Sequence, residues 1–324
     1  MDDPKHLVDF RSPLLVQIVN SVGLGDLLAE GPRSVEEIGA ATGWRPDLAA
    51  RVLRALAPRA LFHRDEDGRW SLTEAGQVLR SDHPDSVATA RYSGFEVGGW
   101  TRMPETLRSG VPAFELTFGT SFWDWLAQHP GDRTEFDEKM RRRLPAMLSM
   151  VADYDWPETG HLVDVGGGTG TLLLDILERR PRMTGTLFDV HETVTTARDR
   201  VASSSAAQRC DLVAGSFFDV VPEGGDIYLL SQILHDWPDE AAVRILATVR
   251  RAMTAEGSTL LLLEGIFPEV DTIGLGLLDL HMLAMFGAGE RDRNQWESLL
   301  SSAGFRLEDV VSGGYTSWLR AVPA

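Results

Sequence analysis

The sequence predicts an α/β protein in which a mostly parallel sheet is covered by helices on both faces and follows a smaller, mostly helical domain. After residue 155, short apolar segments alternate with helical ones, as is typical of parallel sheets. Before residue 95, helical segments precede two short strand-like segments around an Asp-Gly turn. The segments predicted as strands of the main sheet are HLVDVGG, TGTLFDV, RCDLVAGSFF, GDIYLLSQIL, STLLLLEGIF and GYTSWLRAV.

The first domain, residues 1–95, has the helix, helix and hairpin pattern of a winged helix. Ser34 stands three residues before Glu37, which predicts a capping box, and Asp47 is predicted to cap the next helix. Winged helices often bind DNA, but residues 31–80 hold eight arginines and seven acids, a net charge of +1, which is a weak match to a phosphate-binding surface. A packing or dimerisation role is therefore favoured.

The whole chain is acidic. Its 324 residues hold 31 Lys and Arg against 48 Asp and Glu, a net charge of −17, which disfavours nucleic acids and anionic lipid surfaces as partners. A single cysteine, Cys210, excludes an intramolecular disulfide and fits a reducing cytoplasm. No apolar segment reaches the ~18 residues that span a bilayer, and the N-terminus has no targeting pattern.

A glycine-rich stretch, LVDVGGGTGTLL, follows the first predicted strand of the main sheet. Glycines at the carboxyl end of a parallel strand let the backbone approach a ligand closely, and the next helix offers free N–H groups there. The spacing of Gly166, Gly168 and Gly170 does not meet the dinucleotide pattern G-x-G-x-x-G. Asp189 ends the second strand, where its carboxylate is placed to accept both hydroxyls of a ribose; a solvated strand-end aspartate is the alternative.

A histidine follows another predicted strand, in LLSQILHDWPDEAAVRIL. His235 and Asp236 are expected at the same edge of the sheet as the glycine-rich stretch, because the carboxyl ends of parallel strands share one edge. This position makes His235 a candidate base, although an isolated histidine is more often structural.

The motifs LVDVGGGTG, FDV, GSFFD and QILHDWPDE, in that order and spacing, resemble the S-adenosylmethionine-dependent O-methyltransferases of the plant caffeate/flavonoid and bacterial natural-product type. The resemblance covers nearly the whole chain, including a winged-helix dimerisation domain and the tail GERDRNQWESLLSSAGF. It implies a class I methyltransferase, Rossmann-like sheet of seven strands, the last of them antiparallel. It also implies S-adenosyl-L-methionine as cofactor and S-adenosyl-L-homocysteine as product.

The resemblance implies a set of cofactor contacts at the strand ends. Asp189 would hold the ribose hydroxyls, and Phe217 and Phe218 would flank the adenine, with core aromatics as the alternative. Two departures weaken the adenine contacts: Ser216 replaces the aspartate of many relatives, and a Lys or Arg near Ser231 is missing. The cofactor-binding residues predicted in this way are Asp164, Gly166, Gly168, Asp189, Ser216, Phe217, Phe218 and Ser231.

The family motif favours His235 as the general base for methyl transfer to a hydroxyl. A phenol with a pKa near ~10 is about one part in a thousand ionised at pH 7, so exposing the oxyanion costs roughly 4 kcal/mol. A histidine with an ordinary pKa of ~6.5 can accept that proton as the oxygen attacks. The resemblance implies Glu264 and Glu290 as carboxylate partners of the imidazole, in the manner of a catalytic triad. No metal ion is expected, since the sulfonium already carries positive charge.

The acceptor pocket is expected to combine a helical connector, residues 96–155, with the segment LDLHMLAMFGAGE. Its apolar and aromatic side chains suit a flat ring, although core packing explains each of them equally well. His281 is the polar member, predicted as a contact for a substrate oxygen or carboxylate, and Trp237 is expected to pack under the nucleotide end. The acceptor residues predicted are Phe122, Trp123, Met140, Asp236, His281, Met282, Met285 and Phe286.

The leading functional interpretation is an O-methyltransferase acting on a phenolic or polyketide-like small molecule in natural-product or antibiotic biosynthesis. Two alternatives remain: a cofactor-binding relative that catalyses hydroxylation, decarboxylation or a pericyclic reaction, and a winged-helix ligand-sensing regulator. The apolar N-terminal helix is expected to form a homodimer through Leu14, Ile18 and Val22. The predicted division is a dimerisation domain at 1–95, the connector at 96–155 and a catalytic domain at 156–324.

Overall fold

The computed structural model describes residues 9–88, 94–268, 273–312 and 316–324, and its contacts group the chain into two units, Met1–Gly94 and Phe95–Ala324. Residues 1–8, which bear on the prediction of no targeting segment, lie outside the described residues, as do Gly314 and Tyr315 of the last predicted strand. Residues 96–155 belong to the second unit.

The first unit contains the predicted helices and hairpin. The capping box is confirmed, because the Ser34 hydroxyl accepts from the Glu37 N–H at 3.2 Å and the Glu37 carboxylate accepts from the Ser34 N–H at 2.6 Å. The predicted cap at Asp47 is wrong: the helix begins at Pro46, two residues before the predicted start, and Asp47 pairs with Arg45 instead. The elements are α1 (Arg11–Ser21), α2 (Leu24–Ala29), α3 (Val35–Thr42), α4 (Pro46–Leu56), β1 (Phe62–Arg64) and β2 (Trp70–Leu72).

The surface of α1 retains one of the apolar side chains expected at a dimer interface. Ile18 is 46% exposed, whereas Val19 beside it is fully buried in the core of the first unit. Leu14 and Val22 are half-buried. The β1–β2 hairpin is antiparallel and closes through the predicted Asp-Gly turn.

The second unit begins with helices, as predicted for residues 96–155. Aromatic side chains from several of these helices pack on one another, with Phe114 and Phe122 at the centre. The helices are α5 (Gly94–Trp100), α6 (Met103–Ser109), α7 (Ala113–Phe118), α8 (Phe122–Gln128) and α9 (Pro130–Asp153).

A seven-stranded sheet follows, and its topology matches the prediction. Its order is β5-β4-β3-β6-β7-β9-β8, parallel except for β9, the last strand of the chain, which is antiparallel to both neighbours. The apolar segments predict six of these strands and miss β8, whose residues mix charged and apolar types. The strands are β3 (Gly160–Val165), β4 (Met183–Asp189), β5 (Cys210–Ala214), β6 (Ile227–Ser231), β7 (Thr259–Gly265), β8 (Phe305–Ser312) and β9 (Thr316–Pro323).

Helices between the strands bury the apolar residues of the sheet in two clusters. The carboxyl ends of β3, β4, β6 and β7 therefore share one edge, because these strands are parallel neighbours. Among the described residues, no helix combines the length and apolar character that crossing a membrane requires. The helices are α10 (Thr171–Arg179), α11 (His191–Ser203), α12 (Asp239–Ala252), α13 (Ile273–Phe286) and α14 (Arg293–Ser302).

Candidate active site

Residues 166–170, the glycine turn, connect β3 to α10. Gly166, Gly168 and Gly170 have φ angles of 73°, 60° and 76°, in the left-handed region that strains any residue with a Cβ. The turn is fixed to β4 through its backbone, since the N–H of Gly166 donates to the Phe188 carbonyl at 2.8 Å. The predicted close approach of backbone to a ligand site is thus sterically available at this edge.

Two carboxylates flank the glycine turn. Asp164 is buried in β3, and burial together with the nearby charge of Asp189 raises the pKa of Asp164 to about 7. Its Oδ2 has no hydrogen-bond partner among the described residues, and a Cβ on Gly167 would lie 2.4 Å from that oxygen. Asp189 accepts from the N–H of Gly168 at 2.9 Å and from the N–H of Val190 at 2.7 Å. Burial raises the pKa of Asp189, against the lowering effect of these two bonds.

This arrangement fits the cofactor that the sequence predicts. The carboxylate of Asp189 retains lone pairs for ribose hydroxyls after accepting two backbone bonds, and the partnerless oxygen of Asp164 is a complement for an ammonium group. A side chain at Gly167 would fill the space between the two strands, so the glycine is required by close packing on Asp164 and Leu187. The backbone of the glycine turn and the carboxylates of Asp189 and Asp164 thus lie together where the cofactor is expected.

The predicted adenine residues lie on both sides of this edge. Phe217 is the nearer: one of its ring carbons is 3.7 Å from the position that a Cβ on Gly166 would take. Phe218 packs edge-on against Trp237 at 4.8 Å, with the Arg244 guanidinium 5.1 Å above its ring, which agrees with the packing role expected for Trp237. Ser216 accepts from the N–H of Phe218 through its hydroxyl at 3.2 Å, and Ser231 is the last residue of β6.

Residues 232–237, the histidine turn, follow β6 and start with a strained residue. Gln232 has a φ of 54°, and Leu234 to Asp236 then form one turn of 3₁₀ helix. Glu264, at the end of β7, accepts through Oε1 from the N–H groups of Ile233 at 2.9 Å and Leu234 at 2.8 Å. Glu264 Oε1 thus bonds the backbone beside His235 rather than the imidazole, and the predicted partnership of Glu264 with the ring is present as the effect of its charge.

His235 is 6% exposed and lies among carboxylates. Its Nδ1 is 3.1 Å from Glu290 Oε1, the predicted pairing, and its Nε2 is 3.5 Å from Asp236 Oδ1. An ionised Glu290 is only an acceptor, so Nδ1 carries a proton, and Nε2, beside Asp236, is the ring nitrogen that exchanges its proton.

Charge and burial act in opposite directions on this histidine. Burial lowers the pKa of His235, but the charge of Asp236, the hydrogen bond that the imidazole donates to Glu290 and the charge of Glu264 outweigh it and raise the pKa to about 9. Burial raises the pKa of Glu264 to about 7, against the effect of His235 and the two backbone amides. The site therefore holds a proton on the imidazole more tightly than a free histidine does.

Sequence reasoning missed Arg291, which is 5% exposed beside the predicted Glu290. Its guanidinium donates to the carbonyls of Leu234 and Trp237, each at 2.8 Å, and to Asp239 Oδ1 at 2.9 Å. The tail motif GERD contains this arginine, but nothing in the sequence distinguishes a buried arginine from an exposed one.

Four of the predicted acceptor residues of α8 and α13 lie in one aromatic cluster: Phe122, Trp123, Met285 and Phe286. Phe122, Met282 and Met285 are buried, and the ring of Phe286 is 4.9 Å from Phe122 and stacked at 5.6 Å on Trp123. Met140 is half-buried on α9.

His281 has protein partners on both ring nitrogens. Its Nδ1 accepts from the indole N–H of Trp100 at 3.1 Å, so the ring proton is on Nε2, which is 3.6 Å from Glu96 Oε1. Lys139 also pairs with the buried Glu96. The predicted role of His281 as a direct substrate contact is thus not visible in this arrangement, and its partners Trp100 and Glu96, with the Lys139 that pairs with Glu96, were missed. Within the described ranges, no group of three or more His, Cys, Asp and Glu side chains is placed to hold a metal ion.

Comparisons with known proteins agree with the site. Residues 100–306 match the O-methyltransferase domain family, and residues 5–82 match the O-methyltransferase dimerisation domain. A phenazine O-methyltransferase of Lysobacter antibioticus is 37% identical over 298 residues, covering 91% of this chain and 87% of the relative. An 8-amino-8-demethylriboflavin N,N-dimethyltransferase of Streptomyces davaonensis is 34% identical, covering 96% and 91%.

A solved structure extends the likeness to the fold. An O-methyltransferase from neocarzinostatin biosynthesis, in complex with S-adenosyl-L-homocysteine and 1,4-dihydroxy-2-naphthoic acid, aligns with a TM-score of 0.89 at 33% identity, covering 99% of both chains. The matched dimerisation domain supports the homodimer and assigns the winged-helix-like unit to an enzyme rather than to a regulator. The chain therefore belongs to the O-methyltransferase family and is an S-adenosylmethionine-dependent O-methyltransferase with that family's dimerisation domain.

Proposed function

We propose that this enzyme methylates a hydroxyl of an aromatic or polyketide-like small molecule and that His235 is the general base. One observation carries the proposal: the Nδ1 of His235 pairs with Glu290, which leaves Nε2 as the nitrogen that can accept a proton. The ring systems in the names of similar proteins, a phenazine and a naphthoic acid, support a flat aromatic acceptor.

The cofactor supplies a methyl group on a positively charged sulfur. Nε2 of His235 removes the proton of the acceptor hydroxyl as the oxygen becomes a nucleophile. Glu290 holds the ring orientation and stabilises the imidazolium that results. Asp236, 3.5 Å from Nε2, stands where it can accept a hydrogen bond from a neighbouring hydroxyl of the acceptor.

The raised pKa of His235 makes the neutral imidazole a stronger base, but it also lowers the fraction of His235 that is neutral at pH 7. Transfer from a phenol with a pKa of ~10 to a base with a pKa of about 9 is uphill by about 1.4 kcal/mol, much less than the ~4 kcal/mol needed to ionise the phenol at pH 7. At pH 7, however, only about one histidine in a hundred is neutral. The value of kcat/KM should therefore rise with pH towards about 9.

We assign the cofactor to the edge formed by the glycine turn and the ends of β4 and β6. Asp189 would accept the ribose hydroxyls, Asp164 would face the amino acid portion, and Phe217 would contact the adenine. The supporting observations are the left-handed glycines and the two carboxylates beside them. The full set remains Asp164, Gly166, Gly168, Asp189, Ser216, Phe217, Phe218 and Ser231.

The acceptor would lie against the aromatic cluster, with residues 96–155 as the connector between a dimerisation domain at 1–95 and a catalytic domain at 156–324. Phe122, Trp123 and Phe286 would supply the apolar surface, together with Met140, Met282 and Met285. We also propose a cytoplasmic location, supported by the presence of only one cysteine, which is buried and free.

A labelled-methyl assay tests the reaction class. The protein is incubated with methyl-labelled S-adenosylmethionine and a panel of phenols, hydroxynaphthoic acids, hydroxyphenazines and the matching aromatic amines. We expect a product whose label is on oxygen, identified by mass spectrometry and NMR. Label on nitrogen, or consumption of the acceptor without label transfer, would overturn the proposed oxygen chemistry.

The His235→Ala variant tests the base, with the exposed His63→Ala as a matched control. We expect kcat to fall by about 10²- to 10⁴-fold at pH 7 while cofactor affinity is retained. The rate should recover in part as the pH approaches the acceptor's own pKa of ~10, because the hydroxyl then ionises without a base. A variant as fast as the wild type at pH 7 would remove His235 from this role.

A further inference from the structure

Arg291 is a buried cation whose hydrogen bonds from the guanidinium all go to one short segment, residues 234–239. Its two Nη atoms donate to carbonyls at positions 234 and 237, on either side of His235, and its Nε donates to Asp239 at the start of α12. The guanidinium also lies 5.2 Å above the ring of Trp296, which itself donates to the Gly265 carbonyl at 3.0 Å. The side chain is therefore held in one geometry from several directions.

The histidine turn thus lies between two buried charges of opposite sign. Glu264 accepts from its amides at 233 and 234, and Arg291 donates to its carbonyls. The histidine turn starts with the left-handed Gln232 and contains a single 3₁₀ turn, Leu234–Asp236, whose internal bonds run from the N–H groups of Asp236 and Trp237. So short a turn is not stable alone. These two side chains supply the missing partners.

We propose that Arg291 is a positioning residue for methyl transfer, an inference that rests on the proposed function of His235. Glu290 sets the orientation of the imidazole, and Arg291, the next residue, sets the backbone that carries it. The Glu290–Arg291 dipeptide thereby fixes both the imidazole ring of His235 and the backbone to which that ring is attached. The backbone N–H of Phe267 donates to the Arg291 carbonyl at 2.9 Å, so the dipeptide is itself tied to the segment after β7.

The test compares Arg291→Met with Arg293→Met, a control two residues away whose guanidinium is exposed and paired with Glu297. The assay uses the acceptor with the highest turnover in the labelled-methyl panel. We expect kcat of Arg291→Met to fall by about 10- to 100-fold, since small misplacements of a reacting group cost this much. The affinity for S-adenosylhomocysteine should change less than about threefold, and Arg293→Met should resemble the wild type.

Two further readouts separate positioning from general stability. The deficit of Arg291→Met should shrink as the pH approaches the acceptor's pKa, because an ionised acceptor needs no base. In a His235→Ala background, Arg291→Met should add no more than about twofold, because residues that act as one unit are not additive. Arg291→Lys, which keeps the charge and part of the donor set, should recover part of the rate.

Several results would overturn the proposal: an Arg291→Met rate within threefold of the wild type, a deficit that does not depend on pH, or deficits that multiply with His235→Ala. If Arg291→Met does not fold, Arg291→Lys is judged by the same criteria, and failure of both to fold would assign Arg291 a structural role alone. Full activity of His235→Ala would contradict the base itself, and that outcome is distinct from any of these.

Discussion

The glycine turn and the histidine turn lie at the same edge of the sheet, yet they are built in opposite ways. The glycine turn follows β3 and owes its shape to missing side chains, with three left-handed glycines and backbone bonds to β4. The histidine turn follows β6, starts with a left-handed glutamine, and owes its shape to Glu264 and Arg291, which are 30 or more residues away in sequence.

The difference shows two routes to a precise backbone at a ligand site. Glycine removes the steric cost of an unusual conformation, so the turn needs little external support. A residue with a side chain keeps that cost, and surrounding partners must offset it. The first turn should therefore be sensitive to added atoms and the second to removed partners.

The largest effect is expected at the carboxylate that supports the histidine turn. Glu264→Ala leaves the buried amides of Ile233 and Leu234 without an acceptor, each costing about 1–3 kcal/mol, so kcat should fall by about 10²-fold. Glu264→Gln keeps the accepting oxygen and should lose about tenfold or less. Steady-state kinetics measure kcat of the two Glu264 variants, and calorimetry measures their affinity for the cofactor. Equal losses in the two variants would show that charge, rather than support of the turn, is the function of Glu264.

The next effect concerns the carboxylate beside the glycine turn. Asp189→Ala should weaken S-adenosylmethionine binding by roughly 1 to 3 kcal/mol, because charge-assisted bonds to ribose are lost. Asp189→Asn, which retains one accepting oxygen, should weaken it less. Isothermal titration calorimetry measures both. Unchanged affinity in the alanine variant would remove Asp189 from the site.

A smaller effect is expected from one added methyl group. Gly167→Ala places a Cβ 2.4 Å from Asp164 Oδ2 and from Leu187 Cδ1, and overpacking of this kind costs about 1–3 kcal/mol, so cofactor affinity should fall by about tenfold. Gly131→Ala is the control, because a Cβ there meets nothing within 4 Å. If both variants bind the cofactor equally well, close packing is not what requires glycine at 167.

The remaining effect is on stability rather than on activity or binding, and it is a pH dependence that both turns share. The folded pKa values of Asp164, Glu264 and His235 are raised to about 7, 7 and 9. A raised folded pKa contributes stability that is complete below the unfolded pKa and is lost as the pH rises through the folded one. The cofactor-free protein should thus have a Tm that falls as the pH rises from 6 to 9, with Asp164 and Glu264 acting up to about pH 7 and His235 up to about pH 9.

Differential scanning fluorimetry across this range tests the pH dependence. Glu264→Gln should reduce the slope, because the amide does not titrate. A Tm that rises from pH 6 to pH 9 would contradict the direction of these pKa shifts.

The sequence predicts features that depend on neighbouring residues. Ser34 and Glu37 are three positions apart, and the glycines of the turn lie within five consecutive residues. Both the capping box and the glycine turn could therefore be predicted from a short stretch of sequence. The strand β8 could not, because its alternation is interrupted by charges and by a register shift between Leu307 and Asp309. Glu264 could be located but not given its contacts, and Arg291 was missed altogether, since which backbone groups these side chains meet depends on how β7 and the 290–291 segment pack.

Gln232 has a further consequence for sequence variation and laboratory evolution of this scaffold. Its backbone N–H and its side-chain amide both donate to the Leu263 carbonyl, at 3.0 and 3.2 Å, while its φ of 54° strains any residue with a Cβ. A library randomised at this codon should therefore enrich glycine and asparagine, which tolerate this conformation, alongside glutamine. It should be depleted of valine, isoleucine and threonine, whose branched Cβ makes the same backbone angle most costly.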